Sequence, residues 1–383
     1  MKVILFVINS IGYGGAERAL VNILRHPPDS KTKIHVLLLD DEPLARELPE
    51  HVTVHFRNSK KKLLASIINV LRVQQTVRPD VSVSFLVRAN VSNIIAGLIG
   101  RYCPVVICER MHLDSHLDNQ FTGLKRAIAK AIPKLFYRFT DKALGVSTGV
   151  TKNLLDSFNL PRHKAHTIFN PYDLQLISEQ GTCEPEFPLP ADFIISVGRL
   201  TPAKNMQLLI EAYLESNETA SLCILGTGEI KEQLEAYIKQ RKADDRVKLL
   251  GYAQNPFAIV AKAKYFISAS TNEGFPNALL EAMALGRPCI MSNCPSGPSE
   301  IMAEESDYYT SEMTPEKFGV LVPLNNKLEL ARAMNYFQST DKRERYSFLA
   351  EKRSKNFAIE TITKEYWDFF MQVSEAGSVN DDY

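Results

Sequence analysis

Short apolar runs rich in β-branched residues alternate with longer segments of helical periodicity along the whole chain. Many of the runs are apolar at nearly every position, which is typical of strands whose two faces are both covered by helices. The pattern predicts strands at Val3–Asn9, Ile34–Asp40, Val52–Phe56, Val81–Leu86, Val105–Glu109, Ala143–Ser147, His166–Phe169, Phe193–Gly198, Ser221–Leu225, Val247–Gly251, Tyr265–Ser270, Pro288–Ser292 and Gly319–Val322. It predicts helices at Ala16–Arg25, Leu63–Gln75, Ile230–Arg241 and Leu328–Phe337, among others. Such alternation indicates parallel sheets built from right-handed βαβ units.

The strand–helix pattern is interrupted at residues 174–192. The proline and glutamate content of this segment disfavours both helix and strand, and the alternation restarts at Phe193. We therefore predict an α/β protein with two doubly wound, Rossmann-like domains, residues 1–173 and 193–342, joined by a linker at 174–192. Sheets of this kind bind ligands outside the carboxyl ends of their strands, so we expect the two domains to face a cleft. A helical segment, residues 343–383, follows.

Length and composition exclude several classes of protein. The chain has 383 residues, of which 45% are apolar, and this is neither a disordered, a collagen-like nor a disulfide-stapled composition. No apolar run reaches the ~20 residues that span a bilayer, and the opening run Val3–Ile8 is too short for the core of a signal peptide. Six cysteines without a C-x-x-C pair favour reduced thiols. We expect a cytoplasmic protein.

The net charge of +1 hides an asymmetry between the two halves of the chain. Residues 1–190 contain 24 Lys and Arg against 17 Asp and Glu, whereas the remainder contains 21 against 27. A basic first half favours an anionic partner such as phosphates or an acidic membrane face, although random scatter over two surfaces would give the same count. We expect no nucleic acid partner.

The loop after the first predicted strand, residues 9–18, contains Gly12, Gly14 and Gly15 and leads directly into a helix. Glycines here let backbone amides approach a phosphate at the positive end of the helix dipole. The spacing is not that of the dinucleotide fingerprint, because position 17 is Glu, and no Lys-Ser/Thr follows as in a Walker loop. A merely structural glycine turn is the alternative.

The loop after the first strand of the second domain, residues 196–205, carries Arg199 and Lys204. Two cations five residues apart can converge on a diphosphate, Arg as a planar fork and Lys as a point charge. The alternative is a pair of solvated surface cations.

The segment from Glu273 to Pro288 is the most informative motif. Glu273 and Gly274 form a tight loop, Pro276 fits the start of a helix, and the helix is apolar nearly all round. Glu281 is therefore a carboxylate on a buried helix, and a ligand hydroxyl or a cation would satisfy it. A structural salt bridge is the alternative.

Together these motifs resemble the family 4 glycosyltransferases of the GT-B fold, of the bacterial glycan-assembly type. The resemblance rests on Glu273-x7-Glu281, on the Gly198-Arg199-Leu200 loop with Lys204, on residues 14–18 and on Leu225–Gly228, and it spans nearly the whole chain. It implies that the final helices, residues 343–383, cross back to the N-terminal, acceptor-binding domain, and that residues 193–342 bind a nucleotide sugar.

The resemblance also implies roles for single residues. Arg199 and Lys204 would hold the donor's diphosphate, Glu281 would accept hydrogen bonds from the ribose hydroxyls, and Glu273 would hold the donor sugar. The backbone around Pro276 would bind phosphate, and the nucleotide base is expected near Gly226 and Tyr252. The implied donor-binding set is Gly14, Gly15, Gly198, Arg199, Lys204, Gly226, Tyr252, Glu273, Gly274, Phe275, Pro276, Asn277, Ala278 and Glu281.

One position departs from the family pattern. Much of the family carries a His after the fifth strand, where it contacts the donor sugar, whereas this chain reads Glu109-Arg110-Met111-His112. We align Arg110 with that His and count it, with Arg199, Lys204 and Glu273, in the catalytic set. Whether Arg110 or His112 meets the sugar stays open.

Sugar transfer requires that the leaving diphosphate be stabilised by a metal or by fixed cations and dipoles. The sequence has no Asp-x-Asp, so we expect a transfer that needs no divalent metal and no cofactor. The resemblance implies a configuration-retaining transfer of a hexose or N-acetylhexosamine, from UDP rather than GDP.

The resemblance to bacterial glycan-assembly enzymes implies an acceptor glycan linked to polyprenyl diphosphate. Arg126, Lys130, Lys134 and Arg138 recur every four residues, and this basic amphipathic stripe, which Pro133 must kink or end, would dock on the anionic inner face of the plasma membrane. An ordinary solvated helix face is the alternative.

Competing functions remain. An oxidoreductase would need a dinucleotide fingerprint that is absent. A GT-B sugar-nucleotide epimerase would need carboxylates for proton chemistry at C2, and a non-catalytic sugar-nucleotide-binding protein would show no turnover. Release of UDP or GDP across a panel of donors separates them.

Overall fold

The computed structural model describes residues 1–306 and 308–378. The chain forms two compact units, one made of Met1–Pro171 and the segment that begins at Ile359, the other of Tyr172–Ala358. Each unit contains one seven-stranded sheet covered by helices. Within the described part of the chain, no helix combines the length and the apolar character that crossing a bilayer requires.

The sheet of the first unit is parallel throughout, in the order β3-β2-β1-β4-β5-β6-β7. Its core strands are buried on both faces; Ile4 to Ile8, for example, are fully inaccessible. The strands are β1 Val3–Ile8, β2 Lys33–Leu38, β3 Val52–Phe56, β4 Val81–Phe85, β5 Val105–Glu109, β6 Lys142–Gly145 and β7 Ala165–Thr167. The helices are α1 Gly15–Arg25, α2 Leu63–Val77, α3 Val87–Gly100, α4 Leu113–Gln120, α5 Gly123–Phe136 and α6 Thr148–Ser157.

The second unit repeats this order for its first five strands but not at its far edge, where the order is β10-β9-β8-β11-β12-β14-β13 and β13 is antiparallel to β14. Its strands are β8 Phe193–Val197, β9 Ser221–Leu225, β10 Val247–Gly251, β11 Phe266–Ser268, β12 Cys289–Ser292, β13 Thr314–Pro315 and β14 Val320–Val322. Its helices are α7 Leu174–Gly181, α8 Met206–Glu215, α9 Lys231–Gln240, α10 Pro256–Val260, α11 Asn277–Ala284, α12 Pro298–Met302, α13 Lys327–Tyr336 and α14 Thr340–Ser354.

The predicted strands are all present, most of them with shifted ends, and the predicted α/β class with two doubly wound sheets is confirmed. The structure adds the antiparallel edge strand β13, which has only two residues and includes Pro315. So short a strand gives no hydrophobic period, and a proline is tolerated there because the strand lies at an edge.

The prediction of a linker at 174–192 was wrong in its first half. Residues 174–181 form α7, whose first turn is capped by Asp173: the carboxylate of Asp173 accepts from the amide of Leu176 at 2.8 Å. α7 buries Ile177, and Asn255 donates to the carbonyl of Gln180 at 2.9 Å. The helix therefore belongs to the second unit, and the chain passes between the units at Pro171–Tyr172.

The segment 343–383 does not move to the first unit as a whole. α14 belongs to the second unit, where Ser347 donates to the carbonyl of Gly286 at 2.6 Å. Only the last helix, α15 Ile359–Ser378, belongs to the first unit. There Trp367 packs edge-on against Phe6, and its indole N–H donates to the carbonyl of His26 at 2.6 Å. The boundary is thus Ala358–Ile359, because α14 is held by contacts that the sequence pattern does not show.

Candidate functional site

The strongest cluster of candidate residues lies where the second sheet reverses its strand order. β8 and β11 are neighbours there, and the chain leaves them towards α8 and α11. Lys204, from the loop after β8, lies 2.5 Å from the carboxylate of Glu273, from the loop after β11. Open α/β sheets bind ligands at this switch point. The structure therefore brings together two predicted site residues that are 69 positions apart.

Glycines allow the loops after β8, β9 and β10 to lie against one another at this edge. A Cβ at Gly226, whose φ is +144°, would overlap with the carbonyl of Gly198. The amide of Gly226 donates to the carbonyl of Gly251 at 2.8 Å, and Tyr252, 58% exposed, follows. Close approach of backbone to backbone thus explains these glycines. The same packing brings Gly198, Gly226 and Tyr252 to one edge of the sheet.

Arg199 differs from Lys204 in its surroundings. Its side chain is exposed, and no ion pair to it is found among residues 1–306 and 308–378. Lys204 follows in a 3-10 turn, Pro202–Lys204, and is half-buried. Of the two predicted diphosphate ligands, one is therefore fixed by Glu273 and the other is directed to solvent.

The loop Glu273–Asn277, which we call the donor loop, leads into α11. Gly274, Phe275 and Pro276 are buried. Pro276 is the N-cap of α11, and its side chain has no acceptor, so it cannot satisfy the first amides of the helix. An anion at these amides would also meet the positive end of the helix dipole.

α11 is buried along most of its length, as the sequence predicts. Glu281 is only 7% exposed and lies one helical turn after Asn277. Ala278 is half-buried beside it. The carboxylate of Glu281 is thus held at a fixed position within one turn of the donor loop.

A further loop, which the motif search missed, supports the donor loop. Ser296 donates to the carbonyl of Glu273 at 2.6 Å. Gly297 has φ +94°, and a Cβ there would lie 2.5 Å from Cδ of Pro276. The signal for this contact was the Ser-Gly-Pro turn that follows β12 at the carboxyl edge of the sheet.

Cys294 is buried and lies beside these charged groups. Burial raises the pKa of its thiol, and the nearby Glu273 carboxylate acts in the same direction. The thiolate is therefore not the resting form at neutral pH.

In the first unit, Gly14 and Gly15 begin α1, with Gly14 as N-cap. A Cβ at Gly14 would overlap with the carboxylate of Glu17. The glycine there accommodates this side chain, which is a structural reason for the motif. That Gly14 and Gly15 bind the donor stays a prediction.

Arg110 is held inside the first unit. Its guanidinium donates to the hydroxyl of Tyr366 at 2.7 Å and to the amide oxygen of Asn170, and it lies 5.6 Å from the ring of Phe85. The side chain is 8% exposed. These partners give Arg110 a fixed orientation, and its contact with a sugar stays a prediction.

His112 has a local structural role. Its Nδ1 accepts from the amide of Ser115 at 3.4 Å and caps α4. The alternative placement of His112 against the donor sugar stays a prediction as well.

Glu109, next to Arg110, is fully buried at the end of β5. Its carboxylate accepts from the hydroxyl of Tyr137 and, at 2.8 Å, from the amide of Asn90. Burial raises the pKa of Glu109 to about 7. The sequence marked position 109 only as the end of a strand.

A second cluster missed from the sequence lies at the carboxyl ends of β2 and β4. Arg88 donates to one oxygen of Asp40 and, at 3.1 Å, to Ser66. The other oxygen of Asp40 is buried without a hydrogen-bond partner among the residues described. Leu86, just before Arg88, has φ +75°, an unfavourable value for a bulky residue. Orphaned acceptors and strained backbone of this kind concentrate at functional sites.

The basic stripe on α5 lies on a helix that continues past Pro133 to Phe136, so of the two predicted effects of this proline, an end of the helix is excluded. Lys130 pairs with Asp114 at 2.9 Å and Asp118 at 2.8 Å, and Arg126 lies 3.8 Å from Asp118, so α4 neutralises these two cations. Lys134 is exposed, beside a row of exposed apolar side chains formed by Leu124, Ile128 and Leu135.

Comparison with known families identifies both halves of the chain. A family model described as Glycosyltransferase Family 4 matches residues 13–176, and one described as Glycosyl transferases group 1 matches residues 184–353.

Two proteins of Campylobacter jejuni are similar over most of the chain. The first, N-acetylgalactosamine-N,N'-diacetylbacillosaminyl-diphospho-undecaprenol 4-alpha-N-acetylgalactosaminyltransferase, is 30% identical over 91% of this chain and 94% of that protein. The second, GalNAc-alpha-(1->4)-GalNAc-alpha-(1->3)-diNAcBac-PP-undecaprenol alpha-1,4-N-acetyl-D-galactosaminyltransferase, is 26% identical over 98% of this chain and 100% of that protein.

Solved structures share the fold at lower sequence identity. Anabaena HepE in complex with UDP superposes with a TM-score of 0.76 at 23% identity, over 97% of this chain and 100% of that one. Sucrose-phosphate synthase from Thermosynechococcus elongatus superposes with a TM-score of 0.78 at 14% identity, over 98% of this chain and 100% of that one.

Proposed function

Because the chain belongs to the family 4 glycosyltransferases and has the GT-B fold, we propose that it transfers a hexose or N-acetylhexosamine from a UDP-sugar to a polyprenyl-diphosphate-linked glycan. The observation that carries this proposal is the Lys204–Glu273 pair at the switch point, beside the buried start of α11. This arrangement offers a cation, a carboxylate and helix-terminal amides within one set of adjoining loops.

The chemistry follows from these groups. The bond between C1 of the sugar and the β-phosphate oxygen breaks, and the electron pair leaves with UDP. An acceptor hydroxyl oxygen bonds to C1, and its proton passes to the departing phosphate oxygen. Lys204, Arg199 and the first amides of α11 stabilise the charge that develops on the diphosphate. Glu273 accepts hydrogen bonds from the sugar, and Glu281 from the ribose.

This set also supports transfer without a divalent metal. A metal would stabilise the same leaving charge. Here the carboxylate at the switch point, Glu273, is already engaged by Lys204, and the groups proposed for the diphosphate itself are cations and backbone donors. We therefore infer that turnover persists in EDTA. We also infer that the anomeric configuration is retained, because an acceptor hydroxyl that gives its proton to the departing phosphate attacks C1 from the side of the leaving group.

The first unit supplies candidate residues for the acceptor. Asp40, Arg88, Glu42 and Lys61 carry balanced charges, and Lys61 lies 2.9 Å from Glu42. A neutral cluster of donors and acceptors suits sugar hydroxyls better than a phosphate. The orphaned oxygen of Asp40 is one such acceptor.

The lipid-linked acceptor is supported by the names of both Campylobacter relatives, which specify undecaprenol-linked glycans. It is supported also by α5, where Leu124, Ile128 and Leu135 are 77%, 51% and 54% exposed near Lys134. An apolar row flanked by a lysine fits the interface of an anionic membrane. We infer that this row docks the enzyme on the cytoplasmic face of the membrane.

The decisive experiment presents the purified chain with a polyprenyl-diphosphate-linked oligosaccharide and a panel of UDP- and GDP-sugars in EDTA. Release of UDP, with a mass increase of one hexose or N-acetylhexosamine on the lipid-linked product and an α linkage from an α donor, is the expected result. An epimerised donor without transfer would favour the epimerase. Nucleotide binding without turnover, or a strict need for manganese, would overturn the proposal.

A further inference from the structure

The chain passes between its two units at two places, and both adjoin the donor loop. The crossings are Pro171–Tyr172 and Ala358–Ile359. At these points the two segments pair with each other: the amide of Tyr172 donates to the carbonyl of Phe357 at 3.0 Å, and Tyr172 forms a parallel bridge with Ala358. We call residues 172–173 and 357–358 the paired crossover.

Each strand of the paired crossover sends one buried aromatic side chain to the donor loop. The hydroxyl of Tyr172 donates to the amide oxygen of Asn277 at 2.6 Å. The ring of Phe357 packs edge-on against that of Phe275, with centroids 5.3 Å apart. Tyr172 and Phe357 are each 2% exposed, so neither contacts a ligand directly.

Phe357 also contacts a side chain of α14. The guanidinium of Arg353, on α14, lies 5.0 Å from its ring, and Arg353 donates to the carbonyl of Ile301 at 3.0 Å. A buried side chain with several such contacts transmits a displacement rather than absorbing it, because packed interiors deform little.

From these contacts we propose that Tyr172 and Phe357 are positioning residues for the donor loop, and that nucleotide binding at this loop stabilises the paired crossover. The proposal rests on the proposed function, since it requires that a nucleoside diphosphate bind at the start of α11. Tyr172 acts through Asn277, the first residue of that helix, and Phe357 through Phe275. By linkage, if the crossover contacts strengthen nucleotide binding, nucleotide binding must strengthen the crossover contacts by the same coupling free energy.

The first test is Tyr172→Phe, which removes one hydroxyl from a buried site. We expect the Kd for UDP, measured by calorimetry, to rise about fivefold to tenfold, as for the loss of one buried hydrogen bond. The KM for the donor sugar should rise with it, and the KM for the acceptor should not change. The matched control is Tyr213→Phe, because Tyr213 is fully buried in the same unit and donates to the carbonyl of Ala220 at 2.8 Å. It should lose comparable thermal stability and keep its affinity for UDP within about twofold.

A double-mutant cycle separates positioning from general destabilisation. If Tyr172 acts through Asn277, then Tyr172→Phe should not change the Kd for UDP further in an Asn277→Ala background. Independent, additive losses would show that Tyr172 has only a packing role and would overturn the assignment.

Hydrogen exchange tests the second half of the proposal on the complete chain. UDP should slow exchange at the amides of residues 172–173 and 357–358 as well as in the donor loop, and the effect at the crossover should shrink in Tyr172→Phe. Protection confined to the donor loop would overturn the linkage. If the unsubstituted protein binds neither UDP nor GDP, the proposed function itself fails; if it binds UDP and Tyr172→Phe binds equally well, only this inference fails.

Discussion

Lys204 is the cation that the structure fixes at the switch point of the second sheet, so its removal tests the site most directly. Lys204→Ala should lower kcat on the order of 10²–10³-fold, because leaving-group charge then lacks one fixed donor. Turnover of a UDP-sugar is the measurement. Lys231→Ala is the matched control, since Lys231 forms an exposed ion pair with Glu235 in the same unit. Near-normal turnover in Lys204→Ala would contradict the assignment.

Asp40 tests the acceptor side at the same scale. Asp40→Asn keeps the shape of the side chain but removes the charge that holds Arg88 and changes one buried acceptor. We expect the KM for the acceptor glycan to rise about tenfold, the effect of losing a charged hydrogen bond. The KM for the donor should not change, and neither should the slow rate at which water hydrolyses the donor.

The control for Asp40 lies at the opposite edge of the same sheet. Asp80 accepts from the amide of Val3 at 2.7 Å and lies 3.5 Å from Lys2. Asp80→Asn should destabilise the fold without affecting either KM. Equal effects of the two substitutions on the acceptor KM would show that Asp40 is only structural.

Glu109 predicts how the stability of the first unit depends on pH. Its pKa is about 7 in the folded chain against 4.5 as a free side chain, because burial disfavours the charged form. Between these values the folded state keeps a proton that the unfolded state has lost, so the free energy of unfolding falls as pH rises from 4.5 to 7. A pKa shift of this size changes the free energy of unfolding by about 3 kcal/mol.

Glu109→Gln should remove that pH dependence. Urea unfolding between pH 5 and 8, followed by the fluorescence of Trp367, reports on the unit that contains Glu109, since the chain has one tryptophan. Glu218→Gln is the control. Glu218 is also buried and accepts from the hydroxyl of Tyr265, and its substitution leaves Glu109 unchanged. If the free energy of unfolding of Glu109→Gln depends on pH as steeply as that of the unsubstituted chain, the role of this proton is refuted.

The sequence singled out candidate residues whose chemistry is local and gave no signal for those whose chemistry depends on packing. Arg199, Lys204 and Glu273 were predicted because each is a charged residue in a loop that follows a buried strand. Asp40 and Arg88 meet the same criterion but belong to no motif, and their pairing across 48 positions exists only in the folded sheet. Tyr172 gave no signal at all, because a tyrosine beside a proline is ordinary until Asn277 is seen beside it.

At the scale of elements, strands were predicted well because burial on both faces makes them apolar throughout. α7 was missed because its eight residues adjoin the proline-rich stretch, and periodicity over so short a segment is weak. The basic stripe of α5 was visible in the sequence, but the sequence could not show that α4 neutralises Lys130 and Arg126. Charge along a helix predicts a surface potential only after the neighbouring helix is known.

α5 therefore gives a prediction that distinguishes two lysines one helical turn apart. Lys134→Gln should weaken binding to phosphatidylglycerol vesicles by about 1 kcal/mol at low salt, because Lys134 is exposed. Lys130→Gln should not weaken it, because Lys130 is already paired with Asp114 and Asp118. Co-sedimentation with vesicles at two salt concentrations is the measurement. Equal losses in the two variants, or no binding by the unsubstituted chain, would contradict docking through this helix.

At the scale of the molecule, the two units differ in how the chain builds them. The second is one continuous segment, residues 172–358, with its own sheet and its own core around Tyr213 and Tyr265. The first is completed only by α15, whose Tyr366, Trp367 and Phe370 lie in the core around Phe6. The sequence predicted two sheets but not the crossing points, because these depend on which core buries the last aromatic residues.

This difference predicts that residues 172–358 fold alone and bind UDP. The predicted donor residues of this segment, from Gly198 to Glu281, all lie within it, so its Kd for UDP should stay within about tenfold of the value for the full chain. Circular dichroism on heating would show cooperative folding, and calorimetry would give the affinity. Residues 1–171 without α15 should not fold, because burial of each large apolar side chain is worth about 1.5–3 kcal/mol. A folded 172–358 segment without affinity for UDP would show that the donor site needs the first unit, and Gly14 and Gly15 would then be the residues to substitute next.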